Sequence, residues 1–119
     1  MEFIDLKSQY NKYKKSVDAK IQAVLDHGKF IMGPEIEELE EKLAEFVSVK
    51  HCVSVGSGTV SLEIALRALD IGPNDEVITV PFTWISTAEV VMAVGAKPVF
   101  VDIEPDTYNI NPDLLEAAI

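Results

Sequence analysis

From Cys52 onward the chain alternates between two local patterns, and that alternation limits its fold more than any other feature. Short β-prone runs at 52–55, 76–80 and 98–102 are each followed by a stretch with helical character. Leu62, Ile64, Ala65, Leu66 and Leu69 fall at helical spacing, residues 84–94 read as a helix stopped by Gly95, and Asn111-Pro112 opens a third helix running to 119. Turn chemistry separates the segments: Ile71-Gly72-Pro73-Asn74-Asp75, then Glu104-Pro105-Asp106. The β-prone runs are apolar without clean alternation, as in parallel strands covered on both faces. The order β-α-β-α-β-α therefore predicts an α/β architecture with a parallel sheet.

The first 50 residues are different. Tyr10, Tyr13, Val17, Ile21, Val24 and Leu25 mark one face of a helix over 8–27, and Gly28 stands where a left-handed cap belongs. After the apolar loop 30–33, Pro34 occupies a first helical position, with Glu35, Glu37 and Glu38 in the first turn. Ile36, Leu39, Leu43, Phe46 and Val47 then form an apolar stripe that ends near Ser48. The chain divides into a helical segment, 1–50, and a βαβαβα segment, 51–119. The last predicted helix has barely two turns and no cap, so the 119 residues read as the N-terminal portion of a longer protein.

Charge and cysteine content narrow the function classes. Twenty acidic residues against ten basic ones give a net charge of −10, which disfavours nucleic acid and anionic membranes as partners. The lysines at 12, 14, 15 and 20 are spaced as a solvated helix face, as are the glutamates between 35 and 41. A single cysteine, Cys52, allows no intrachain disulfide and suits a reducing compartment; it reads as a small buried hydrophobe. The opening residues lack a signal-peptide pattern and no apolar run is long enough to span a bilayer, so a cytoplasmic location is expected. His27 and His51 have no metal-ligand spacing, so no metal site is expected.

Three places can carry chemistry. Gly56-Ser57-Gly58-Thr59 joins a β-prone run to a helix, where free N–H groups, a positive dipole end and the Ser57 and Thr59 hydroxyls suit a phosphate. It is neither a Gly-x-Gly-x-x-Gly nor a Walker loop, and on these residues alone a tight turn with an N-cap hydroxyl is the favoured reading. Trp84, the only tryptophan, follows the C-terminal end of the run 76–80, where open α/β sheets bind ligands. It is placed either to stack on a cofactor ring or to pack as a core aromatic. Phe30, Met32 and Gly33 form either a hydrophobic staple or a wall for a ligand. No catalytic dyad or triad is assembled by the residues alone.

Taken together, several segments resemble one family. Phe3-Ile4-Asp5-Leu6, the run from Gly28 to Glu35, Ser57-Gly58-Thr59 and the run from Gly72 to Thr79 occur in its order and spacing. The runs from Pro81 to Ala88 and from Gly95 to Ile103 complete the likeness to the DegT/DnrJ/EryC1/StrS sugar aminotransferases, and in particular to transaminases that aminate UDP-linked 3-keto-hexuronic acids. The resemblance implies the N-terminal part of the large domain of the aspartate aminotransferase fold (pyridoxal phosphate fold type I), a partial three-layer sandwich. It implies pyridoxal 5′-phosphate as cofactor, glutamate and a UDP-sugar as substrates, and a homodimer or other homo-oligomer. Ser57, Gly58 and Thr59 match the cofactor-phosphate segment, Trp84 the ring-stacking aromatic, and Phe30, Met32 and Gly33 a segment near the sugar.

The Schiff-base lysine of the family is implied to lie beyond position 119. None of the nine lysines falls in the matching motif, so no residue here is expected to be catalytic and the chain alone is expected to be inactive. In the family topology the first strand lies apart from the next two. The three either pair directly here or leave edges for an oligomer to fill. Two rivals from other classes are a non-catalytic regulatory or binding module of the DegT type and a small Rossmann nucleotide domain. The acidic charge weighs against DNA binding, and the missing Gly-x-Gly-x-x-Gly weighs against the nucleotide domain.

Overall fold

A computed structural model describes residues 3–119. They form two compact units divided between Ser54 and Val55.

The first unit contains α1 (Leu6–His27) and α2 (Pro34–Phe46). Asp5 caps α1 by accepting the Ser8 N–H at 2.9 Å, and the Ser8 hydroxyl, followed by that N–H, holds the Asp5 carboxyl below its ordinary range. At the other end Gly28 takes φ 67° and returns its N–H to the Val24 carbonyl at 3.0 Å. The glycine is there for the left-handed φ, which costs a residue with a Cβ. Pro34 starts α2 as expected, with Gly33 before it and Glu35 and Glu37 in the first turn. A Cβ at Gly33 would lie 2.5 Å from the Lys29 carbonyl oxygen, so close backbone approach accounts for this glycine. Between the helices His27 Nδ1 accepts the Lys29 N–H at 3.0 Å, leaving Nε2 to donate to Glu35 Oε1 at 3.0 Å. No side chain of α1 is buried, and Ala44 is the one buried residue of α2.

The second unit contains α3 (Gly58–Ala68), β1 (Glu76–Thr79), α4 (Ser86–Ala93), β2 (Lys97–Phe100) and two 3₁₀ turns, Pro112–Leu114 and Glu116–Ala118. β1 and β2 are parallel, in register from Glu76 opposite Lys97 to Thr79 opposite Phe100, and α4 is the crossover between them. Backbone bonds from Lys97 to Asp75 and from Val101 to Thr79, both 2.9 Å, extend the ladder at each end. Val91, Val94 and Ala96 are the centre of the core, with Leu66, Ile71 and Val77 packed on them. α4 packs against α3 and against both strands, so one short helix ties the unit together.

The α/β class and the parallel pairing agree with the sequence reading, but three expectations are corrected. Residues 52–55 are not a strand. A strand exists only where a neighbour completes its ladder, and among the described residues none stands beside this run; of the three expected strands only the second and third pair. The final helix is two 3₁₀ turns, although Asn111 does cap it by accepting the Asp113 N–H at 3.0 Å. Cys52 is half-buried rather than buried.

Candidate functional site

The start of α3 sets the site. Ser57 is extended, with φ −166° and ψ 167°, and its Oγ accepts the Val60 N–H at 3.2 Å. The Ser57 carbonyl accepts the Ser61 N–H at 3.0 Å. The N-cap reading of this turn therefore holds. It leaves Ser57 its own hydroxyl hydrogen, and it leaves the N–H groups of Gly58 and Thr59 without a partner among the described residues. Those two donors stand at the positive end of an 11-residue helix.

The glycines of this turn serve neither strain nor internal packing. A Cβ on Gly56 or on Gly58 would meet nothing of the chain within 4 Å, and neither residue has a positive φ. The space beside the free N–H groups is open.

α4 brings the rest. Ser86, its first residue, is 8% exposed, and its Oγ accepts the Thr59 hydroxyl at 3.1 Å. The Trp84 carbonyl accepts the Thr87 N–H at 3.0 Å, which fixes the turn leading into the helix. The Trp84 side chain is 78% exposed, so it is not a core aromatic. Gly58, Thr59, Ser61 and Leu62 of α3 and Trp84, Ser86 and Thr87 across from them line one open concavity of about 530 Å³. Two helix starts, four hydroxyls and one indole meet there. None of the lining side chains is ionisable, so an anion would be held by hydrogen bonds and helix dipoles alone.

Of the residues singled out from sequence, Gly58, Thr59 and Trp84 are thus brought together, with Ser57 capping the same helix. Phe30, Met32 and Gly33 belong to the other unit, in the α1–α2 loop; Phe30 and Met32 are exposed, so no staple forms. Sequence reasoning missed Ser86 and Thr87 as site residues. Their signal is a pair of hydroxyls opening a helix just beyond a strand's C-terminal end. A second aromatic pair, Phe82 and Tyr108, stacks with ring centroids 5.4 Å apart on the connections that follow β1 and β2. Among the described residues no cluster of three His, Cys, Asp or Glu could hold a metal, and no helix is long and apolar enough to cross a membrane.

The chain is similar to known proteins in sequence and in fold. The family model described as DegT/DnrJ/EryC1/StrS aminotransferase matches residues 11–119. A UDP-2-acetamido-2-deoxy-3-oxo-D-glucuronate aminotransferase of Pseudomonas aeruginosa is 57% identical over 119 residues, which is 100% of this chain and 33% of that protein. The crystal structure of a DegT DnrJ EryC1 StrS aminotransferase from Brucella abortus superposes with a TM-score of 0.93 at 45% identity, covering 100% of this chain and 32% of that one. The structure of ntda from Bacillus subtilis with bound cofactor PMP superposes with a TM-score of 0.87 at 36% identity, covering 92% of this chain and 25% of its own. The chain spans about a third of the length of the curated relative, 33%.

Proposed function

Because the chain belongs to the DegT/DnrJ/EryC1/StrS aminotransferase family, we propose that it provides the cofactor-phosphate end of a pyridoxal phosphate-dependent sugar aminotransferase. The observation that carries this reading is the open concavity in which the unpartnered N–H groups of Gly58 and Thr59 share a wall with the exposed indole of Trp84. A phosphorylated aromatic needs an anion site and a flat apolar face, and both are present. The space that a Cβ on Gly58 would fill admits the phosphate oxygens to the backbone donors.

Each residue has a share in that task. Gly58 and Thr59 donate backbone N–H groups to the phosphate, and the Thr59 and Ser57 hydroxyls add donors. Trp84 covers one face of the ring. When bound, the cofactor supplies the carbonyl carbon that takes up an amino group and the ring that withdraws electrons from it. The chain's own residues anchor and orient the cofactor; the lysine that would move the proton is not assigned to any of the nine lysines of residues 1–119.

The amino donor is assigned as glutamate and the acceptor as a UDP-linked 3-keto-hexuronic acid, in keeping with the 57% identical relative. Phe30, Met32 and Gly33 are assigned to the sugar by the resemblance. The active form is assigned as a cytoplasmic homodimer or other homo-oligomer, and the working division is a helical segment, 1–50, and a cofactor segment, 51–119.

The deciding experiment titrates the full-length gene product with pyridoxal 5′-phosphate and then supplies glutamate and the keto sugar nucleotide. Cofactor uptake followed by amino transfer is the expected result. A product that takes up no pyridoxal phosphate would refute the reading and leave the non-catalytic module in its place.

A further inference from the structure

We propose that Ser86 is a positioning residue that aims the Thr59 hydroxyl at the bound anion. The proposal rests on the reading above, that the start of α3 receives the cofactor phosphate.

A hydroxyl brings one hydrogen and two lone pairs. Thr59 Oγ1 donates to Ser86 Oγ at 3.1 Å. In that sense of the bond Thr59 shows only lone pairs to the concavity, and lone pairs repel an anion. The Ser86 hydrogen meanwhile has no acceptor given to it, in a residue that is 8% exposed. The same 3.1 Å separation serves the reverse bond. With Ser86 donating to Thr59, the Thr59 hydrogen is released toward the space beside the Gly58 and Thr59 N–H groups, and both hydroxyl hydrogens are used. Chains of this kind polarise each link, so the terminal donor binds an anion more strongly than an isolated hydroxyl does.

Burial is what makes Ser86 suited to this. An exposed serine would exchange its partner for water; the Ser86 hydroxyl has Thr59 Oγ1 as its single side-chain partner among the described residues. The pair also joins the first turn of α3 to the first residue of α4 across 27 positions of sequence. Arrival of the anion at one helix start is thereby coupled to the hydroxyl at the other.

The test is a double-mutant cycle on the full-length gene product, read as the dissociation constant of pyridoxal 5′-phosphate. Pyridoxal, which lacks the phosphate, is the control probe. Thr59→Val raises the constant about tenfold and Ser86→Ala about fivefold, in the range of one hydrogen bond to a charged group. In the Thr59→Val background Ser86→Ala then changes it less than twofold, because the hydroxyl it acts through is gone. Ser86→Cys, close in size with a weaker donor, falls between serine and alanine. Pyridoxal binds all four proteins of the cycle alike, which also shows that they are folded. An equal cost of Ser86→Ala in both backgrounds, or a loss of pyridoxal binding with it, makes Ser86 a packing residue and overturns the inference while the phosphate reading stands. If Thr59→Val leaves the pyridoxal phosphate constant unchanged, the reading of the site fails and the inference fails with it.

Discussion

Trp84→Ala separates binding from folding more sharply than any other single change. The indole is 78% exposed, so its removal takes little surface out of the core and should move the unfolding free energy by no more than about 0.5 kcal/mol. Its effect on the cofactor should be much larger. One covered face is about a third of the roughly 200 Å² that an aromatic side chain buries. At about 25 cal/mol per Å² that area contributes about 1.5 kcal/mol. The stacked arrangement adds about 1 kcal/mol beyond the area. The combined loss corresponds to a dissociation constant about seventyfold higher. Trp84→Phe keeps a smaller ring and should lose less than tenfold. The assay is pyridoxal 5′-phosphate binding by absorbance on the full-length gene product, with urea unfolding of the same variants alongside. Because Trp84 is the only tryptophan of the 119 residues, quenching of its emission reports contact directly in this chain. Unchanged affinity together with a stability loss above about 1 kcal/mol would refute the stacking role and return the residue to packing.

Three further outcomes follow from the structure. Val91 is the deepest side chain among the described residues at 2% exposure, and Val91→Ala should cost the second unit about 2 kcal/mol in urea unfolding, since it leaves a gap at the centre of the core that Val94, Ala96 and Leu66 line. Gly28 sits at φ 67° with open space around it, so Gly28→Ala meets strain and no clash; it should destabilise the first unit by about 1 kcal/mol in a thermal melt. The third outcome concerns pH. Lys42 and Lys20 hold the Glu38 carboxyl at about 2, down from its ordinary 4.5. A depressed acid stabilises above its unfolded value and loses that contribution as pH falls. The helix-content advantage over Glu38→Gln, read by circular dichroism, should therefore be full above pH 4.5, gone near pH 2, and small throughout in about 1 M salt because the group is exposed.

What the sequence made legible was the chemistry that acts within a few residues. Gly28 as a left-handed cap, Pro34 at a first helical position, an N-cap hydroxyl in the turn 56–59 and Asn111 as another cap are all local arrangements, and all are found, Ser57 supplying the hydroxyl. The pairing of β1 with β2 was legible because one crossover helix separates them. The run 52–55 was misread because its apolar, β-branched composition states only a preference, and pairing depends on a neighbour that local pattern does not contain. The last segment was misread for a similar reason: a cap and a proline fix where a turn begins, not whether its bonds close at three residues or four. The candidate site divided the same way. Gly58, Thr59 and Trp84 stood out from their positions beside helix starts. The Thr59–Ser86 bond, 27 positions long, and the stacking of Phe82 on Tyr108 exist only once the chain is folded.

The lack of any buried side chain on α1 has a kinetic meaning. The helix is about 33 Å long at 1.5 Å per residue, and it is held by its own ladder, its two caps, pairs such as Lys14 with Asp18, and two surface pairs to α2, Lys20 with Glu38 and His27 with Glu35. A helix held that way opens turn by turn from its ends. Its amide hydrogens should exchange with solvent through brief local fraying, whereas those of Val90 and Val91, locked beneath the second unit's core, wait for that unit to come apart. The two ends of one short chain thus run on different clocks, and a protease added in small amounts would find the first unit long before the second.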